Sequence, residues 1–469
     1  MSTGGNDFGQ PSVDTSTTSM PGLCEATQSI IGKAGTGAVI ALDAVGQQDT
    51  YLTSNVFTDS FFHFNSVKHS NFTKYSASFA VTADNSTNWP FNQKLTVNMR
   101  PKSMGDILEN MYLKCTLPPL TGKQRYCDDV GWAIIKQMQF MMDDIIIETL
   151  NNDWNVIYSE LHYLREEKTI LKQLINVDRK LGGDLYIPLN FFFNRRHSTA
   201  YTANPLIKTD YFKPSFYTCA AYNHKNMFIN FWFNPISFFC SESDATISLS
   251  NVYLVTDEII LDAAERQYLQ NTKMENIISL SRNDPVTPVV GTPFKANLTP
   301  NVPVKTIHWF MRNAKYEDQN SNVFYNDRFN YCDSNYPVSV PSNFETRHPI
   351  ISQTIMYLNG VQILTVSLPV TSRTEMDGSY YYKYGQSYNH GLSTPTKNIY
   401  TYSFCLDPKN PQPSGAVDFS QMDSNSTLLT GSLYSYAFQN VQWNLNVYYT
   451  GYNQITYSNG LVSLMFSGI

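Results

Sequence analysis

Apolar and polar residues alternate in short runs along most of this chain. Leu95, Val97 and Met99 are separated by Thr96 and Asn98 and followed by Arg100, a period of two that predicts a strand with one apolar and one wet face. The same alternation recurs over a longer span at Val441, Trp443, Leu445, Val447 and Tyr449, with Gln442, Asn444, Asn446 and Tyr448 between them. Between Ile355 and Val366 the sequence reads IMYLNGVQILTV, with Asn359-Gly360 between two β-rich runs. Asn-Gly readily takes positive φ at both central positions of a type I′ turn, so a hairpin is predicted. Residues 227–233 (MFINFWF) and 307–311 (IHWFM) are apolar on both faces and predict strands covered on both sides, in the inner parts of sandwiches or at subunit contacts.

Two segments break the β pattern. Over residues 153–176, Trp154, Ile157, Tyr158, Leu161, Leu164, Leu171 and Leu174 recur at helical spacing, with Asp153 placed to cap the first turn. A shorter helix is predicted over residues 257–271 (DEIILDAAERQYLQN), where acids at the start suit the positive end of the helix dipole. It follows a strand-like stretch, residues 245–255, and precedes the Pro-rich residues 284–293, so the domain boundary is expected there. The layout is a polar arm over residues 1–48, a β-rich domain over 49–256, a helical linker over 257–293 and a second β-rich domain over 294–469. Halves of this size suit large sandwiches. No short repeat is visible, so any duplication lies at the level of fold.

Composition narrows the function classes. Charged residues make up 15% of the 469, against roughly 25% in an average soluble protein. With 31 Tyr and 28 Phe, the chain is the opposite of a disordered one. No run of eighteen or more apolar residues occurs, so no membrane-spanning helix is expected. The formal charge is −6 and no Lys/Arg block appears, which argues against direct contact with nucleic acid. Seven cysteines lie far apart without a C-x-x-C pair, the pattern of reduced core thiols and not of a zinc site or disulfide framework. The first ten residues lack the basic and apolar regions of a secretory signal.

Candidate chemistry is sparse. Residues 32–37 (GKAGTG) lack the spacing of a phosphate loop, and the eight histidines contain no H-E-x-x-H. Asp143 with Asp144 and Glu166 with Glu167 are the paired acids a glycosidase reading would use, and adjacent acids are read instead as solvated surface groups. Arg195-Arg196-His197 reads as a solvated loop or a subunit contact. Asn71, Asn85, Asn297 and Asn425 head N-x-[ST] triplets. No catalytic residue, metal site or cofactor is expected.

Several fragments, in order, carry a family resemblance. Residues 57–72 (FTDSFFHFNSVKHSNF) end in Asn71-Phe72, and residues 100–120 (RPKSMGDILENMYLKCTLPPL) contain Gly105-Asp106. Trp154 stands in the "DW" start of the first helix, residues 185–193 read LYIPLNFFF, and residues 252–267 read VYLVTDEIILDAAERQ. Residues 304–312 and Leu358-Asn359-Gly360 follow, and residues 399–423 (IYTYSFCLDPKNPQPSGAVDFSQMD) place Phe404, Pro413, Ser414, Gly415, Phe419 and Ser420 in register. From residue 50 onward the chain resembles the major capsid proteins of nucleocytoplasmic large DNA viruses.

That resemblance implies an all-β chain with short helices in loops, folded as a double jelly roll of two eight-stranded antiparallel β-barrels side by side. It implies homotrimeric, pseudo-hexagonal capsomers tiling an icosahedral virion capsid assembled in the host cytoplasm. Neighbouring capsomers and minor capsid and penton proteins are then the partners, with an internal viral membrane keeping the genome from the shell. The named residues are expected to have structural roles. A minor capsid paralogue, or a β-sandwich carbohydrate-binding protein or glycosidase, is the alternative.

Overall fold

The computed structural model describes residues 71–80, 88–195, 214–241, 247–332, 349–365, 381–410, 412–434 and 441–466. The expected arm and most of the first resemblance fragment lie outside them. The first half contributes β1 (Phe72–Ala80), β2 (Asn88–Pro90), β3 (Lys94–Met99), β4 (Ile107–Leu117), β5 (Ile135–Met142), β6 (Ile145–Asn151), β7 (Gly183–Pro188), β8 (Met227–Phe233) and β9 (Ser248–Leu261). The second half contributes β10 (Met274–Asn283), β11 (Thr287–Val289), β12 (Phe294–Asn297), β13 (Pro303–Asn313), β14 (Ile351–Leu358), β15 (Val361–Thr365), β16 (Tyr400–Ser403), β17 (Val417–Asp418), β18 (Leu428–Leu433), β19 (Trp443–Ser458) and β20 (Leu461–Leu464).

Strand order carries the architecture. In the first half one sheet runs β1-β9-β4-β7 and the other β3-β8-β5-β6, with β2 beside β9. In the second half the sheets run β10-β19-β13-β16 and β12-β18-β14-β15, with β11, β17 and β20 as short additions. When the eight main strands of each half are ranked by chain position, both halves give the same two orders, 1-8-3-6 and 2-7-4-5. This is the jelly-roll order of two interleaved Greek keys, and it occurs twice. All four sheets are open among the described residues, so each half is a sandwich closed by face-to-face packing and not by the continuous ladder of a barrel.

The alternation expected for β3 is observed, with Leu95, Val97 and Met99 buried and Lys94, Thr96 and Asn98 exposed. Asn359 and Gly360 sit at φ 48° and 76° between β14 and β15, the predicted hairpin turn.

Three expectations need correction. The helix over 153–176 is two helices, α2 (Asn152–His162) and α3 (Arg165–Ile175), following a short α1 (Val130–Ile134). Tyr163 and Leu164 between them are extended, and the Leu164 N–H donates to Glu167 at 2.9 Å, starting a new helix. The cap of α2 is Asn151, whose side chain accepts from the Trp154 N–H, because Asp153 is engaged elsewhere. Residues 257–261 continue β9, and Asp257, Glu258 and Ile259 pair with β4 opposite Asn110, Leu108 and Ile107. Only α4 (Ala263–Asn271) is helical, capped by Asp262, and the linker then becomes β10 at Met274. Pairing across the sheet overrides the local preference of an acidic, helix-like run.

The third correction concerns β19, which is buried on both faces from Trp443 to Asn453. Asn444 and Asn446 are buried against Glu317, Tyr448 meets Trp154 of the first half, and the two sandwiches share a seam within one compact unit, Lys74–Ile469.

Candidate assembly site

β13 sends alternate side chains into different cores. Ile307, Trp309 and Met311 enter the core of the second sandwich, where Trp309 packs on Tyr382 and Tyr400. Phe310 enters the core that belongs mainly to the first, stacked 4.0 Å from Tyr331 and 6.0 Å from Tyr448. From the first half, Trp154 on α2 reaches Tyr448 and His308 and lies under the Arg195 guanidinium, 5.4 Å from its ring centre.

Charges cross the same seam. Arg312 donates to both oxygens of Asp153, at 2.7 and 3.1 Å, and twice to Glu317. The Tyr331 hydroxyl adds a third donor to Asp153 at 2.9 Å. Burial alone would lower the pKa of Arg312, but Asp153 and Glu317 outweigh it and hold the guanidinium charged. Arg195 pairs with Glu148 and donates to the backbone carbonyls of Asn190 and Ser279, the latter on β10. Arg328 satisfies five backbone carbonyls, including those of Phe238 in the first half and Tyr316 in the second. Such pairs add little net stability over an apolar filling, but removing one partner strands a buried charge, so they specify how the halves meet.

Beside them lies a group of bases, His308 and Lys305 buried and His162 partly so. His308 bonds Thr306 at 3.1 Å and Thr401 at 3.0 Å, and burial, helped by Lys305, pushes its pKa down to about 3. His162 is pushed well below its usual value by burial, then by His308 and Lys305. Burial likewise pushes Lys305 down to about 8.

A second junction joins the sequence-flagged Gly105-Asp106 to residues 256–266. Arg266 on α4 grips Asp106 at 2.6 and 2.7 Å, and Asp106 also accepts from the Leu261 N–H at 2.8 Å. The Gly105 N–H donates to Glu258 at 2.5 Å, and Glu258 accepts in addition from Tyr75 and Thr256. Two fragments about 150 residues apart in sequence thus form one clamp at the end of the β4–β9 ladder.

The third junction is the loop over residues 404–420. The Phe404 N–H donates to the Lys305 carbonyl at 2.8 Å, and Phe404 packs against Tyr402 and Phe419. Ser414 closes the loop by accepting from the Asp407 N–H at 3.1 Å. Gly415 has φ 139°, and a Cβ there would stand 2.8 Å from the Phe404 carbonyl oxygen. Pro413 and Ser420 are exposed, with the Ser420 N–H bonded to Asp418. Asn359 meets the end of the same region by accepting from the Asp423 N–H at 2.9 Å. Asn71 and Phe72 are exposed at the start of the described chain.

One acid of each pair has a structural task, while Asp144 and Glu166 are exposed. Asp143 accepts from the Asn226 N–H and pairs with His224, while Glu167 caps α3. Arg195, expected in a solvated loop or at a subunit contact, is buried within the chain, and Arg196 and His197 lie outside the described residues. Among the described residues six cysteines are buried as thiols, and burial pushes those of Cys115 and Cys219 up to about 12. Among the described residues no group of three or more His, Cys, Asp or Glu is arranged to hold a metal ion. Sequence reasoning missed Arg312, Arg328 and Glu148 and gave Asp153 only a capping role, because each has a partner far away in the chain.

A family described as "Major capsid protein N-terminus" matches residues 60–217, and one described as "Large eukaryotic DNA virus major capsid protein" matches residues 265–462. The chain belongs to the major capsid protein family of large eukaryotic DNA viruses. Within the family, it is 23% identical over 450 residues to the major capsid protein of Pyramimonas orientalis virus, covering 92% of this chain and 99% of that one. It is 24% identical over 318 residues to capsid protein 1 of Acanthamoeba polyphaga mimivirus, covering 60% of this chain and 49% of that longer one. The fold is similar to that of the chain in the PBCV-1 virus capsid, with a TM-score of 0.65 at 17% identity over 87% of this chain and all of that one. The clamp, the seam and the 404–420 loop all fall within the matched family regions or join them.

Proposed function

We propose that this capsid protein works by assembly geometry alone, as a homotrimeric capsomer of pseudo-hexagonal outline tiling an icosahedral shell. The observation that carries the reading is the double occurrence of one strand order. One chain presents two sandwiches of like topology, so three chains around a threefold axis present six, and six like faces suit a hexagonal lattice. The shared seam supports this, because a rigid two-sandwich body keeps its outer faces in fixed relation. Obligate interfaces of this kind are large and apolar, in keeping with a chain that carries little charge and many aromatics.

In this reading the chain makes no direct contact with nucleic acid and catalyses no reaction. Residues 1–48 act as an arm that orders against neighbouring capsomers or minor capsid and penton proteins, the stretch around α4 between β9 and β10 links the two sandwiches, and assembly takes place in the host cytoplasm near an internal viral membrane.

Multi-angle light scattering of the purified chain tests the claim. Three copies of 53.4 kDa make 160.2 kDa, and a stable monomer at micromolar concentration overturns the obligate trimer. Negative-stain images of the same sample are expected to show hexagonal outlines.

A further inference from the structure

A cleft of about 790 Å³ opens between α2, α3 and the segment over residues 383–397. It lies between corresponding connections of the two halves, β6 to β7 in the first and β15 to β16 in the second. Six cationic side chains line it: Arg165, Lys168, Lys172, Lys383, Lys397 and Lys409. Only two carboxylates do so, Asp129 and Glu160. In a chain of net charge −6, the lining therefore carries a surplus of positive charge.

Both lining carboxylates are already engaged. Glu160 takes Lys168 at 3.3 Å and two donors from Thr396 at 2.8 Å, and Asp129 takes Lys397 at 3.4 Å. Lys383 bonds the neutral Asn398 side chain at 2.8 Å. Arg165, Lys168 and Lys172 lie along one side of α3 at helical spacing, the outer two exposed. Lys409 closes the floor, 5% exposed. Burial, reinforced by the charge of Lys168, lowers its pKa, and Asp407 and Glu167 oppose this from outside the lining. An anion in the cleft relieves both the repulsion and the burial cost.

We propose that this cleft binds a small polyvalent oxyanion carrying clustered tetrahedral groups, phosphate or sulfate esters. Lysine is a point-charge donor suited to such groups, and five of the six cations are lysine. The hydroxyls of Thr169 and Ser393 in the same lining already donate to the Arg165 and Tyr163 carbonyls, at 3.2 and 2.6 Å, so the cations carry the recognition. The volume lies within the range of small-ligand sites, about 300–1,000 Å³, and suits a few such groups and not a long polymer.

Isothermal titration of the intact protein with tripolyphosphate and, separately, with sucrose octasulfate tests the proposal, citrate serving as a carboxylate probe. Saturable binding tighter than about 1 mM, weakening as salt rises, is expected for at least one of the first two. Tighter tripolyphosphate points to a phosphate ligand and tighter octasulfate to a sulfated sugar. The exposed pair Arg165→Glu and Lys172→Glu is expected to weaken binding at least about tenfold, while Lys172→Arg retains it and both variants keep the wild-type melting temperature. Absence of binding by both probes, binding that the charge reversal leaves unchanged, or citrate binding as tightly as either overturns the proposal.

Discussion

Arg312 on β13 of the second sandwich donates to both carboxylate oxygens of Asp153 on α2 of the first, at 2.7 and 3.1 Å. Both side chains are 8% exposed, so neither charge has water to fall back on. The pair holds one half of the chain in register with the other, next to the Phe310–Tyr331–Tyr448 stack.

Arg312→Met leaves Asp153 and Glu317 facing each other across the seam without their cation. A loss of about 3–5 kcal/mol is expected from breaking a buried pair on one side, read as a shift in the denaturant midpoint. Combining it with Asp153→Leu and Glu317→Gln is expected to recover much of that loss, since an apolar filling needs no partner. If the single variant melts with the wild type, the pair has no structural role.

Gly415 and Gly360 differ in what an added methyl group meets. At Gly360, with φ 76°, the nearest atom to that methyl is the Ser426 Cβ at 4.0 Å, so Gly360→Ala bears only the left-handed backbone penalty of about 1–2 kcal/mol. At Gly415, with φ 139°, the methyl meets the Phe404 carbonyl oxygen at 2.8 Å and the Cys405 Cα at 3.2 Å, neither of which can rotate away. Gly415→Ala is expected to cost about 1–3 kcal/mol more than Gly360→Ala. Thermal melts of the two variants give the order, and an equal shift contradicts the packing argument.

Buried His308 makes the fold sensitive to acid. His308 is held neutral until about pH 3, whereas an exposed histidine takes its proton near 6.5. Below 6.5 the unfolded chain therefore binds a proton that the folded chain refuses. Stability is complete above this window and declines as the pH falls from 6.5 toward 3, by up to about 1.4 kcal/mol per pH unit for each such group. His162 contributes in the same direction. Denaturant midpoints between pH 7 and 4 are expected to fall less steeply for His308→Gln than for the wild type, and parallel slopes argue against a buried neutral His308.

Individual strands are legible wherever a residue meets its neighbours within one sheet. The alternation at Leu95, Val97 and Met99 and the turn at Asn359-Gly360 appear as expected. The pattern fails at β19, where Asn444 and Asn446 read as a wet face but are buried, bonded to Glu317. It fails again at residues 257–261, where an acidic run that reads as helix is held in a strand by β4. Gly105-Asp106 and the pair Glu258 and Arg266 stand in separate fragments of the chain, and no spacing rule connects residues so far apart.

By itself, then, the sequence determined the β class, the main turns, the absence of nucleic-acid-binding blocks and the family resemblance, because these depend on local periodicity and on fragments kept in order. Only the tertiary structure decided the repeated strand order, the seam with its Asp153–Arg312 pair, and the cationic cleft. Each of these depends on which distant segments meet, and a buried charge shows its purpose only beside the partner that compensates for its lost water.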